Sequence, residues 1–162
     1  MEDEVDRLVR GWRRALPGID ASPLEVLSRV TRLARHLDRL RGVVFARHDL
    51  ETWTFDVLAA LRRAEAPHQL SPGQLLAQTL VTSGTMTNRI DHLEQRGLVR
   101  RRPDPTDARS VRVQLTAAGR RRVDGALQDL VKREDAILGA LDTTERATLA
   151  GLLRRVVAPF DA

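Results

Sequence analysis

A mainly α-helical fold carrying one small β-hairpin is what this sequence predicts, and three observations predict it. Apolar residues recur at helical spacing along nearly the whole 162-residue chain. Cap and proline signals cut that pattern into separate helices. The period changes to two only between Leu98 and Leu115, around a turn that holds Pro103 and Pro105.

Residues 2–16 form the first amphipathic stretch, with Val5, Leu8, Val9 and Trp12 on one face, stopped by Pro17 and Gly18. Ser22 followed by Pro23 gives an N-cap and first-turn signal for a long helix to about residue 47. Its stripe, from Leu24 through Leu27, Val30, Leu33, Leu37 and Leu40 to Val44, is too long for a small module alone. A third helix is expected over roughly 53–66, with Phe55, Val57, Leu58 and Leu61, closing at Pro67. Ser71 and Pro72 repeat the cap signal for a short helix through Gln78.

Thr82 is expected to cap a helix through about Arg96, with Met86, Ile90 and Leu93 facing inward and Gly97 as its left-handed stop. Leu98–Arg102 and Ser110–Leu115 then read as a hairpin, in which Val111, Val113 and Leu115 alternate with Arg112 and Gln114. Thr116 caps a long helix with Val123, Leu127, Leu130 and Val131 inward, and a last helix over about 144–158 carries Leu149, Leu152, Leu153, Val156 and Val157. There is no internal repeat, low-complexity tract or interdomain linker.

Composition bounds the function. The chain has length for one domain and, at 42% hydrophobic residues, enough for a core, which aliphatic side chains must fill because aromatics are only 3%. Without cysteine there is no disulfide framework, zinc-cysteine site or thiol sensor, and no apolar run is long enough to span a bilayer. The acidic N-terminus is the reverse of a secretory signal, so a cytoplasmic protein is expected. Of 27 basic residues only Lys132 is lysine. Arginine suits bidentate phosphate recognition, but wholesale replacement of lysine in a high-GC genome gives the same abundance, so only the placement of the arginines bears on function.

That placement is uneven. Arg89–Arg122 holds ten arginines against Asp91, Glu94, Asp104 and Asp107, a balance of +6 in a chain whose total is +5. Residues 1–88 contribute +1 and 123–162 contribute −2. Charge gathered on one module is the footprint of a polyanion-binding surface. Two short helices joined tightly, the second with small polar residues at its start, have helix-turn-helix geometry. Ser83, Thr85, Thr87, Asn88 and Arg89 would lie at a DNA groove. In the hairpin, Arg100, Arg101 and Arg102 alternate sides, so at most two share a face. Arg109 sits near a tip stiffened by prolines, suited to a minor groove, with Asp107 two residues before to hold it.

The run Ser83-Gly-Thr-Met-Thr-Asn-Arg-Ile-Asp-His-Leu-Glu-Gln-Arg-Gly-Leu-Val-Arg-Arg, then Asp107-Ala-Arg109-Ser and Val113-Gln-Leu-Thr-Ala-Ala-Gly119, resembles the MarR family of bacterial winged-helix transcriptional regulators. The resemblance covers about residues 30–158 and implies a winged helix-turn-helix fold with N- and C-terminal dimerisation helices. It implies a division into 1–50 (N-terminal dimerisation helices), 51–116 (DNA-binding domain) and 117–162 (C-terminal dimerisation helices). It also implies a homodimer on a palindromic operator, most simply a ligand-responsive repressor. The apolar stripes at both chain ends agree, since long amphipathic helices without partners need a second subunit.

Trp12 followed by Arg13, Arg14 and Pro17, with Asp56 and Arg89, is similar to the urate-responsive branch of that family. The similarity implies a site for a small anionic or aromatic effector, with a urate-like purine as one candidate. Where that branch carries Asn eight residues beyond the Asp, this chain has Ala64. His36, Arg39 and Trp53 are expected to border the same junction. His36, His48, His68 and His92 lack metal-ligand spacing, and no cofactor is expected. No nucleophile, base and orienter triplet and no phosphate loop occurs, so the chain is not expected to be an enzyme. The alternative is a winged-helix module that binds protein or RNA without reading duplex sequence.

Overall fold

Asp3 opens the first helix, α1 (Glu4–Ala15), by accepting from the backbone N–H groups of Val5 and Asp6, while Asp6 accepts from Asp3 N–H. This reciprocal cap sits in a computed structural model that describes residues 2–79, 83–104 and 110–160. Val5 and Val9 bury one face of α1 against Ala21 and Leu24. Arg29 on α2 (Ser22–Arg47) binds Asp3 and Asp6 and ties the two helices together. The start of α2 corrects the expected cap: Ser22 lies inside the helix and makes no side-chain cap bond. Asp20 does that work, accepting from Ser22 N and Oγ at 2.9 Å each, because a carboxylate two residues upstream is the stronger acceptor.

Helix α3 (Thr52–Arg63) ends three residues before the expected position. Ala64 turns extended, and its carbonyl accepts from His68 Nδ1 at 2.8 Å, so the chain leaves the helix early to enter a strand. That strand, β1 (Gln69–Leu70), is too short to show a period of two. Helix α4 (Pro72–Thr79) follows, with Ser71 as the expected cap accepting from Gln74 N at 3.2 Å and Gln74 returning the bond by accepting from Ser71 N at 2.8 Å. After α5 (Ser83–Gln95), Gly97 takes φ +66°, the left-handed conformation that glycine adopts without penalty.

Strands β2 (Val99–Pro103) and β3 (Val111–Leu115) form the hairpin, and β1 adds on the far side of β3, giving the antiparallel order β1-β3-β2. The register pairs Val99 with Leu115, Arg101 with Val113 and Arg102 with Arg112. Thr116 caps α6 (Ala117–Ile137), accepting from Gly119 N at 3.0 Å. Gly119 is there for room: a Cβ would stand 2.1 Å from the Leu98 carbonyl oxygen. The chain ends in α7 (Thr143–Val157), opened by an Asp142/Glu145 capping box, and a 3-10 turn, Ala158–Phe160.

One core runs from Val44 to Leu130 and packs α3, α4, α5, the sheet and α6 together. The chain ends differ. Helix α7 buries none of its residues, and Leu149, Leu152, Val156, Val157 and Phe160 are exposed, as are Val26, Leu27, Val30 and Leu33 on α2. Single exposed apolar side chains are ordinary, whereas on these two helices they form stripes that nothing in the chain covers.

Candidate nucleic-acid interface and adjoining cavity

Helix α5 divides its faces cleanly. Met86, Ile90 and Leu93 are buried, while Ser83, Gly84, Thr85, Thr87 and Asn88 are exposed. Thr87 Oγ1 donates to the Ser83 carbonyl at 3.3 Å. With side chains this small, the helix start can approach base edges closely, and its N–H groups favour phosphate. The expected Thr82 cap lies outside the described residues.

The hairpin distributes its arginines by pleat. Arg100 and Arg102 share the outward face with Gln114 and Arg112, and Arg100 Nε donates to Gln114 Oε1 at 2.9 Å. Arg101, opposite buried Val113, points the other way, toward α5. Its backbone N–H donates to Glu94 at 2.7 Å, and its guanidinium ion-pairs with Glu94 and Asp91. The N–H bond first, then the guanidinium, holds the Glu94 carboxyl below its usual range. Arg112 binds Asp104 at 2.5 Å and Gln74 at 3.1 Å, and Asp104 N donates to the Ser110 carbonyl at 2.9 Å, closing the wing. Asp107 and Arg109 lie outside the described residues.

Behind this surface a cavity of about 490 Å³ opens between α2, α3 and α6, lined by Asp38, Arg41, Phe45, Thr52, Phe55, Asp56 and Leu130. Phe45 and Phe55 stack at 4.2 Å with 13° between planes and form an aromatic wall. Arg41 is held at 3.0 Å by Glu134. Burial pushes the Asp56 carboxyl up from its ordinary value, opposed by the fields of Arg89, Arg41 and Arg63. Arg89, on the face of α5 turned toward α3, lies 5.2 Å from the Trp53 ring centroid, and Trp53 meets His92 edge-on at 5.6 Å. Asp56 of the cavity wall thus lies in the field of Arg89 of α5, and Trp53, outside the lining, packs on that same arginine.

Other expected pocket residues stand elsewhere. Within one chain Trp12 lines a separate apolar hollow of about 320 Å³ with Leu16, Ile19, Ala21, Pro23 and Leu24, and His36 and Arg39 are exposed on α2 without lining the Asp56 cavity. Sequence reading missed Asp38, Arg41 and Phe45. Their spacing of i, i+3 and i+7 put two charges on one face with an aromatic, and that was the available signal.

Sheet, reading helix and basic hairpin together define a winged-helix protein of the DNA-binding class. The sequence pattern of the MarR family matches residues 48–110. The chain is 37% identical over 153 residues to the HTH-type transcriptional regulator PecS of Dickeya dadantii, covering 94% of this chain and 92% of that one. It is similar to a mutant of Escherichia coli MarR complexed with operator DNA, with 27% identity, a TM-score of 0.66 and coverage of 90% and 97%. It is similar also to BpsR of Bordetella bronchiseptica, whose DNA binding is regulated by 6-hydroxynicotinic acid, with 27% identity, a TM-score of 0.60 and coverage of 78% and 91%. The chain belongs to the MarR family of transcriptional regulators.

Proposed function

We propose that this regulator binds a palindromic operator as a homodimer in the cytoplasm, represses a promoter, and releases DNA when a small anionic or aromatic effector fills the Asp56 cavity. The observation that carries the reading is that Asp56 in the cavity wall feels the field of Arg89, which packs on Trp53 at the start of the same helix α3. An effector that engages Asp56 or Arg41 changes the field at a side chain of the reading helix, and differential binding to the two arrangements shifts the DNA-bound population. The stacked Phe45 and Phe55 favour a flat ring, and Asp56 with Arg41 offers an acceptor and a donor for a heterocycle such as a urate-like purine. The regulation of BpsR by 6-hydroxynicotinic acid supports a ring ligand of this size.

In operator binding, Ser83, Thr85, Thr87 and Asn88 read sequence, while Arg89, Arg100, Arg102 and Arg109 supply phosphate and groove contacts. The deciding experiment titrates urate, xanthine and 6-hydroxynicotinic acid into the protein bound to a duplex that it retains from fragments of its own genome. Release by a flat heterocycle at or below millimolar concentration, abolished by Asp56→Ala, supports the reading. Release by none of them, or release that survives Asp56→Ala, overturns the cavity assignment.

A further inference from the structure

The arginine-rich hairpin is less available to DNA than its charge suggests, and the strand register shows why. Arg101 lies opposite Val113, whose side chain is buried, whereas Arg100 and Arg102 project from the outer face. Its guanidinium spans Asp91 and Glu94, which are i and i+3 on one face of α5, and its backbone N–H donates to Glu94 as well. A phosphate would meet an Arg101 whose charge two carboxylates already neutralise, so its recruitment brings little electrostatic gain. The other strand is tied by its opposite face: Arg112 of β3 donates to Gln74 of α4 at 3.1 Å and pairs with the buried Asp104 beside β2. Both strands of the wing are therefore fastened to the two helices that form the helix-turn-helix.

We infer that Arg101 is a positioning residue that fixes the wing against the recognition helix without touching DNA. The inference rests on the reading of this module as a DNA-binding one. A wing held at one angle lets the dimer meet groove and backbone contacts together only on DNA of matching shape and spacing. A loosened wing still meets phosphates on any duplex. Arg101 thus governs discrimination and leaves non-specific affinity nearly unchanged.

The test compares wild type, Arg101→Ala and the double variant Asp91→Asn/Glu94→Gln. For each, affinity is measured for a duplex retained from the protein's own genome and for its scrambled counterpart, with thermal melting alongside. Both variants are expected to lose about tenfold in the ratio of the two affinities, the order of one lost specific contact. Combining all three substitutions should add little to Arg101→Ala, because the same clamp is removed. The double variant alters half-exposed carboxylates on a helix surface, so it carries the test even if Arg101→Ala fails to fold. Equal weakening of both duplexes by Arg101→Ala, with the ratio intact in the double variant, makes Arg101 a phosphate contact and overturns the inference. A wild-type protein indifferent to sequence would overturn the DNA-reading function itself and is recognised before any variant is compared.

Discussion

The Arg89 guanidinium lies over the Trp53 indole, 5.2 Å from its centroid, so a side chain of the reading helix is steadied by the first turn of α3. A cation over a half-exposed ring is stabilised by about 0.5–1 kcal/mol. Arg89→Ala is expected to lower operator affinity about tenfold or more, as one lost specific contact does. Trp53→Leu should lower it only a few fold, about the worth of the ring contact. Anisotropy of a labelled operator checks both. A Trp53 variant as impaired as the Arg89 variant would show that the ring serves DNA binding by another route.

Asp56 gives a pH prediction with a definite sign. Its carboxyl, still open to solvent, is raised by partial burial against the fields of three arginines, so its contribution to stability is fully present below the unfolded value near 3.8 and is lost as pH climbs through the raised folded value. The ionised group is a cost at neutrality. Asp56→Asn is expected to melt above wild type at about pH 7, with the gap closing as pH falls toward 3.8. Melting curves across that range check it, and a wild type that is the more stable at neutrality contradicts it.

Two glycines predict opposite outcomes. At Gly119 a Cβ would meet the Leu98 carbonyl oxygen at 2.1 Å and Leu115 Cδ1 at 2.9 Å, and backbone cannot yield cheaply. Gly119→Ala is expected to cost about 3 kcal/mol or more, read by denaturant unfolding. At Gly84 nothing lies within 4 Å. Gly84→Ala, at the second residue of α5, should stabilise that helix by no more than about 0.5 kcal/mol while weakening operator binding, because it lies on the exposed face proposed to meet the groove. Tighter operator binding by that variant would remove Gly84 from the interface.

The apolar stripe of α7 predicts an obligate partner. Leu152→Asp, on a helix that buries none of its own residues within the chain, is expected to shift the sedimentation profile from dimer toward monomer with the winged lobe still folded. An unaltered dimer would place the interface on other helices.

Much of this fold was legible because caps and periods are local. Ser71, Thr116 and Gly97 each set a boundary through their own hydrogen bonds or backbone angle, and each appears where the sequence puts it. Strand β1 was hidden because two residues carry no period, and the early end of α3 depends on a bond from His68 to Ala64 that composition does not announce. Of the candidate DNA face, only the exposure of its residues was legible. Exposure of Ser83, Thr87 and Asn88 follows from helical phase against Met86 and Ile90. The engagement of Arg101 needed the strand register, and the cavity needed Asp38 and Arg41 of α2 to meet Thr52 and Asp56 of α3, a tertiary fact.

Arginines on one face of the winged module are proposed to bind the backbone of a duplex. Operator affinity measured against salt concentration tests this most directly. If a dimer neutralises roughly six to ten phosphates, affinity falls about a thousandfold or more between about 50 and 200 mM salt, with a straight line on logarithmic axes. An affinity that stays level over that range would contradict the account.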